Sequence, residues 1–437
     1  MLDHSFCSSP WFHLRLTYNG DFEECRWFKK SQTTPVNVRN ASLLEFYNSD
    51  RMRTLRTDLL SGASPTGCET CQYEDNFNKL SGRQRQLLKS GIRKDTFALS
   101  LRSSPHYQHF LHTWQNDGHA DYAPVDLQID LGNVCNSACI MCGPTASSRL
   151  HTEYRTKLHK INPALFADPI TYQSWTEDPE TLEKFIVELI SIPNLKYIHF
   201  LGGETLFDPA FYSICERLID AGVSQRIIVG TTTNGTIYDA RIERLISQFK
   251  EFHLGISIES VTELNDYIRY PGKIAEILPN IDRFLALRDS APLFVSLRIT
   301  PNVFTASEID LLFRYMLSRH VIAESCNILF DPPGLRIELM PDNVRQHTID
   351  KLKTLIDEFG MVKNNHVNIR KNEIIDGVIA DTVIDYYNFI KDYKLPDNTE
   401  ELRYQLVSFI KTFELSRNNC ILDYAPEYEQ FLRHYGY

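Results

Sequence analysis

Leu127-Gln-Ile-Asp-Leu-Gly-Asn-Val-Cys135-Asn-Ser-Ala-Cys139-Ile-Met-Cys142-Gly-Pro144 is the stretch on which the fold turns. Its first five residues alternate in polarity as a half-buried strand does, and Gly132-Asn133 releases the chain into a loop. That loop carries three cysteines in a C-x3-C-x2-C spacing. Three thiolates can hold three irons of a four-iron cluster and leave the fourth with an open position for a small molecule. Close-set cysteines also build zinc sites and plain electron carriers, so the triplet alone leaves the chemistry open.

Downstream, from about residue 125 to 341, short apolar strands alternate with helical stretches, the pattern of parallel βαβ units. Strands are expected at Leu127–Leu131, Tyr197–Leu201, Arg226–Thr231, His253–Ile258, Leu293–Ile299 and within Ile328–Ile337. In such a sheet, ligands sit beyond the carboxyl ends of the strands. The unusual residues fall there. Gly202-Gly203-Glu204 follows the second strand, where glycines allow close backbone approach and the glutamate adds a carboxylate. The next strand ends in Thr231-Thr232-Thr233-Asn234-Gly235, which a capped turn would also explain. Gly255-Ile-Ser257-Ile-Glu259 and Asn265-Asp-Tyr-Ile-Arg269 follow. The arginine could grip a carboxylate through its planar fork or stand solvated on a helix.

Taken together, the triplet, LGGETL, TTTNG, GISIE and Arg269 resemble the radical S-adenosylmethionine (radical SAM) superfamily. The resemblance implies an α/β fold, a partial (β/α)6 barrel over residues 125–341. It implies a [4Fe–4S] cluster on Cys135, Cys139 and Cys142 that binds SAM and cleaves it reductively to a 5′-deoxyadenosyl radical. It further implies that Gly202, Gly203 and Glu204 contact the SAM amino group. Thr232 and Asn234 would meet the ribose or carboxylate, Ser257 the ribose and Arg269 the carboxylate, with Met141 near the adenine. Thr205 stands where the family usually has proline.

Four more cysteines lie within the first seventy-one residues: Cys7, Cys25, Cys68 and Cys71. Trp11 to Thr17 reads as a strand and Asn19-Gly20 as a hairpin turn, which sets Cys7 and Cys25 on opposite arms. Cys68-Glu-Thr-Cys71 follows an expected helix, Ala41 to Leu60. From spacing alone, four thiolates suit structural zinc and an iron–sulfur cluster equally. The order of the cysteines resembles the twitch domain, the half-length form of the SPASM auxiliary-cluster domain, although twitch domains usually follow the barrel. This resemblance implies a second, auxiliary [4Fe–4S] cluster in a hairpin-and-helix module over residues 1–100.

Residues 101–124 read as a linker, in which His106, His109 and His112 drift off one helix face and suit packing rather than metal. Residues 342–437 read as an amphipathic helical cap. Cys326, before the sixth expected strand, is the best placed lone cysteine for hydrogen donation, with a buried apolar role as the competing reading. The net charge of −10 argues against a nucleic-acid binder. No apolar run is long enough to span a membrane, and the N-terminal residues lack a signal pattern, so a cytoplasmic protein is expected. The expected function is radical modification of a peptide or protein by cross-linking, oxidation or epimerisation, served by a reductase, flavodoxin or ferredoxin. A small-molecule dehydrogenase of the aminocyclitol type is the alternative. An iron–sulfur carrier or sensor would explain the cysteines but not the GGE, TNG and Arg269 signals.

Overall fold

One sheet organises the chain. The computed structural model describes residues 5–29, 35–76, 81–169, 173–326, 329, 331–363 and 371–437. The strands are β1 (His13–Leu16), β2 (Phe22–Glu23), β3 (Asp126–Asp130), β4 (Tyr197–Leu201), β5 (Ile228–Thr233), β6 (Glu251–Ser257), β7 (Leu293–Ile299) and β8 (Ala323–Cys326). They lie in the order β2-β1-β3-β4-β5-β6-β7-β8. Every neighbouring pair from β1 to β8 is parallel, and β2 alone is antiparallel. The sheet stays open, with β2 and β8 as edges. The run β3 to β8, with helices between successive strands, is the partial (β/α)6 barrel expected.

Alternation along the strands separates two faces. Leu127, Ile129, Ile198, Phe200, Leu254, Ile256, Val295 and Leu297 are buried in one core. Phe185 and Leu189 of helix Pro179–Ser191 join them, as do Phe211 and Ile214 of helix Pro209–Asp220. Each such side chain stabilises the fold by about 1.5–3 kcal/mol. Both helices start sharply, with Asp178 or Asp208 as cap and proline in the first turn. The opposite, inner face carries Gln128, Asp130, Tyr197, His199, Gly230, Thr232, His253, Ser257, Ser296 and Arg298.

Several expectations need correction. The first strand starts at His13, because Ser9–Phe12 forms a helical turn with Pro10 near its start. The Asn19-Gly20 turn is present, with Gly20 at φ +90°. β1 also pairs with β3 through His13↔Asp126 to Leu16↔Ile129, so the N-terminal hairpin extends the barrel sheet. The helix expected from 41 to 60 is broken at Asn48, since Ser42 caps Leu43–Tyr47 and Ser49 caps Asp50–Ser61.

Residues expected as linker include helix Tyr107–Gln115, anchored where Trp11 Nε1 donates to Thr113 Oγ1 at 2.7 Å. The His106 and His109 rings lie 4.3 Å from Phe12 and 4.1 Å from Tyr122, as packing histidines do. The sixth barrel strand is Ala323–Cys326 rather than part of Ile328–Ile337. Residues 327, 328 and 330 lie outside the described residues, and Pro332-Pro333 cannot donate to a ladder. Short turns at Pro333–Leu335 and Ile337–Leu339 follow instead. The C-terminal region is helical as expected: Asp342–Glu358, Lys371–Asp392, Thr399–Arg417 and Glu429–His434. Among the described residues no helix is long and apolar enough to cross a membrane.

Candidate active site

The cysteine loop is bound on every side by the loops that end neighbouring strands. Ala138 N donates to Tyr270 O at 2.6 Å and Ile140 N to Ile268 O at 2.9 Å, which zips the loop to the segment after β6. Ser147 Oγ donates to Ser137 O, and Ser148 Oγ accepts from Cys135 N. Asn234, past β5, donates through Nδ2 to Asn136 Oδ1 at 2.7 Å and to Ser137 Oγ at 2.9 Å. Cys139 is buried, and Cys135 and Cys142 are half-buried. A hydrogen bond from Cys142, helped by the Arg269 and Arg417 guanidiniums against burial, holds the Cys139 thiol below its ordinary range. Burial pushes the Cys135 thiol up to about 11.

The GGE segment packs directly beneath this loop. A Cβ on Gly203 would lie 2.5 Å from Val134 O and 2.6 Å from Asn133 O, so only glycine fits there. Glu204 N then donates to Val134 O at 2.8 Å. The Glu204 carboxylate is 1% exposed and accepts from Thr233 Oγ1 (2.6 Å), Asn234 N (2.5 Å) and Leu206 N (3.1 Å). Sequence reasoning expected it to face a ligand; its three partners belong to the chain itself. Burial still raises its pKa against these bonds.

Arg269 is buried and donates from Nη1 to Glu259 Oε1 at 2.8 Å. Glu259 also accepts from Thr300 N, and burial, opposed by Arg269, pushes its carboxyl up to about 7. The Arg269 Nε is buried with no hydrogen-bond partner, and Cys139, Cys142 and Cys135 are among the charges that act on it. The Thr232 and Ser257 hydroxyls make no side-chain hydrogen bond among the described residues. Both are half-buried on the inner face at the carboxyl ends of β5 and β6. Met141 is half-buried against the core beside Cys142.

Two residues with a part here were missed in the sequence. Glu259 was quoted only as part of a segment. Arg417, on helix Thr399–Arg417, donates from Nη2 to Ala138 O at 2.6 Å and pairs with Glu153 at 2.8 Å. Its guanidinium sits 4.3 Å from the Phe413 ring and 4.6 Å from Tyr270. Nothing in the spacing of a distant helix could have flagged it.

Cys7, Cys25, Cys68 and Cys71 line a single pocket with Trp27, Phe28 and Arg83. The Phe28 and Trp27 rings press on Gly67 and Gly82, where any Cβ would collide with them. Burial raises all four thiols above their ordinary range. Cys7 precedes β1 and Cys25 follows antiparallel β2, so this pocket lies at the amino end of β1 and β3. The triplet leaves the carboxyl end of β3. At ~3.3 Å per residue, the five residues of β3 set the two ends about 16 Å apart. Cys326 closes β8 at the carboxyl edge, its Cα paired with that of Ile299, and its side chain lies outside the described residues.

Both cysteine sets fit iron–sulfur ligation by their chemistry. Three thiols share a loop with two guanidiniums and an unsatisfied buried Nε, and four thiols ring one enclosed pocket.

Residues 129–315 match the model of the Radical SAM superfamily, and residues 7–72 match SPASM, described as an iron–sulfur cluster-binding domain. Native anSMEcpe with bound AdoMet aligns with 54% of this chain and 61% of that chain, at 16% identity and a TM-score of 0.36. Streptococcus suis SuiB bound to precursor peptide SuiA aligns with 83% of this chain and 76% of that chain, at 12% identity and a TM-score of 0.35. The alignment thus spans about three-fifths of anSMEcpe. No curated protein matches the sequence.

Proposed function

With a radical SAM domain at residues 129–315 and an iron–sulfur cluster-binding SPASM domain at residues 7–72, this chain belongs to the radical SAM superfamily, and we propose that it oxidises or cross-links a C–H position of a peptide or protein. The observation that carries this reading is the polar inner face of the sheet, with one cysteine set toward each end of its strands. A [4Fe–4S] cluster with SAM goes with the first domain and an auxiliary iron–sulfur cluster with the second. When bound, these groups supply a 5′-deoxyadenosyl radical for hydrogen abstraction and an electron acceptor.

The chain's own residues hold and shield that chemistry. Cys135, Cys139 and Cys142 would ligate the first cluster, and Cys7, Cys25, Cys68 and Cys71 the second. The free Arg269 Nε and the Thr232 and Ser257 hydroxyls are the groups open to SAM. Gly202 and Gly203 bring backbone close to the cysteine loop, and Glu204 and Asn234 lock that loop in place. Met141 would cover the adenine. On the inner face, His199 is held neutral by burial, its pKa lowered to about 3.

A second reading is dehydrogenation of a small polyol, with the auxiliary cluster as electron acceptor. An epimerisation would need a hydrogen donor, and Cys326 at the end of β8 is the candidate. A flavodoxin- or ferredoxin-type reductase would supply the electron that starts each cycle.

Anaerobic reconstitution with counting of iron, followed by SAM and dithionite, tests the reading. It requires about eight irons per chain and release of 5′-deoxyadenosine. It requires that C68A/C71A keeps some SAM cleavage but forms no product. About four irons with one zinc would make the N-terminal site structural. Full clusters without deoxyadenosine, in the presence of peptide libraries and polyols alike, would count against an enzyme.

A further inference from the structure

One outer face of the chain runs against its overall charge, and we propose that an acidic electron-carrier protein docks there to exchange single electrons with the auxiliary cluster. This assignment rests on reading Cys7, Cys25, Cys68 and Cys71 as the ligands of that cluster.

Residues 82–103 hold six arginines and lysines against one carboxylate, Asp95, in a chain of net charge −10. Helix Gly82–Lys89 and helix Phe97–Ser103 form one unit with the turn between them. Ser104 Oγ donates to Ser90 O at 2.8 Å, and Ser100 Oγ accepts from Arg93 N at 2.9 Å. Arg83 is taken by Asp75 and Lys89 by Asp126. Arg85, Arg93, Lys94 and Arg102 are exposed and make no side-chain hydrogen bond or ion pair among the described residues. Leu88 and Leu99 stand with them, 54% and 70% exposed, and helix Phe97–Ser103 has no buried residue. Exposed apolar side chains rimmed by free cations are the makeup of a docking face.

What lies behind this face selects the partner. Helix Gly82–Lys89 turns Gly82, Arg83 and Gln86 into the four-cysteine pocket, while Arg85, Leu88 and Lys89 are exposed. A Cβ on Gly82 would lie 2.3 Å from the Trp27 ring, and Ser8, next to Cys7, donates to Gln86 O at 3.0 Å. One helix, ~10–12 Å across, therefore separates the pocket from solvent. Electrons cross such a distance readily. A peptide seated here would instead lie at the amino end of β1 and β3, away from the triplet loop at the carboxyl end of β3.

Opposite charge steers an acidic carrier to the face, and a small, salt-sensitive interface lets it leave after each exchange. The step moves one electron between the auxiliary cluster and the carrier's redox centre. One is oxidised and the other reduced by that electron, and no bond forms or breaks.

The test uses the anaerobically reconstituted holoprotein and an acidic plant-type [2Fe–2S] ferredoxin, with poly-L-glutamate as an acidic chain that carries no electron. Exchange is started from whichever partner is reduced and followed by rapid-freeze EPR of the auxiliary signal. R85E/R93E/K94E should keep the wild-type iron content and denaturation midpoint. At low ionic strength it should slow exchange at least about tenfold. Near 1 M salt, where the Debye length is about 3 Å, variant and wild type should converge. R155E/K160E, in the exposed basic stretch that follows the triplet loop, should exchange at the wild-type rate. No salt-sensitive exchange in the wild type, unchanged exchange in R85E/R93E/K94E, equal slowing in R155E/K160E, or a deficit that survives high salt overturns the proposal. So does tighter binding of poly-L-glutamate than of the ferredoxin, which would make the face a site for acidic peptides. Zinc at the N-terminal site would remove the electron route and overturn the docking proposal with it. Deoxyadenosine release is measured on the same samples. Its absence with both clusters loaded would sink the enzymatic reading, while salt-sensitive exchange is judged separately.

Discussion

Replacing Glu204 with glutamine separates a residue that ties two loops together from one that touches SAM. The side chain is 1% exposed, with Oε1 accepting from Thr233 Oγ1 and Leu206 N and Oε2 from Asn234 N. Glutamine keeps the first oxygen and turns an NH2 toward the Asn234 N–H. One hydrogen bond to a charged acceptor, worth about 1.5–3 kcal/mol, is lost, and a buried donor left unsatisfied costs about 1–3 kcal/mol more. Glutamine escapes the cost of burying a charge, which is the main cause of the raised Glu204 pKa, so part of the loss is offset. The net effect should be about 2–4 kcal/mol of destabilisation, concentrated where the β4 and β5 loops clasp the cysteine loop.

The assay has three readouts on anaerobically reconstituted protein: denaturation midpoint, iron retained after desalting, and SAM affinity. E204Q should lower the midpoint and lose iron from the triplet before SAM binding can be judged, with the auxiliary site retained. E204A, which strands all three donors, should do so more severely. If E204Q keeps the wild-type midpoint and iron content and loses only SAM affinity, the carboxylate is a ligand contact. The loop-tie argument is then wrong.

Gly203→Ala should force the Asn133–Val134 carbonyls to move, because its Cβ would stand 2.5–2.6 Å from both oxygens; full cluster loading in G203A would refute this. Arg417→Ala removes the donor to Ala138 O and the partner of Glu153, a buried pair whose breakage costs about 3–5 kcal/mol. It should lower triplet iron while the auxiliary site stays loaded, which site-resolved EPR would read. His199 gives a pH test. Its folded pKa of about 3 lies below the unfolded value, so the unfolded chain binds the extra proton and stability falls as pH drops through about 6.5. Between pH 8 and 6 the wild type should lose about 1 kcal/mol more than H199Q, and equal losses in denaturant titrations would show that His199 is not held neutral.

The barrel was legible because its determinants are local. Strand periodicity marked five of the six barrel strands, and special residues clustered at strand ends. The sixth strand was displaced because apolar residues around Ile328 resemble a strand, while Pro332-Pro333 removes the N–H groups a ladder needs. The parallel pairing of β1 with β3 was not legible, since it joins residues more than a hundred positions apart and leaves no local trace. The same limit applies within the site. GGE could be recognised from spacing, but its physical role depends on which backbone lies above Gly203 and which donors meet Glu204. Arg417 is an ordinary arginine in sequence. It is set apart by a buried carbonyl reached from a distant helix. A family's shared chemistry is thus carried by motifs, whereas what distinguishes this chain's substrate depends on long-range pairing.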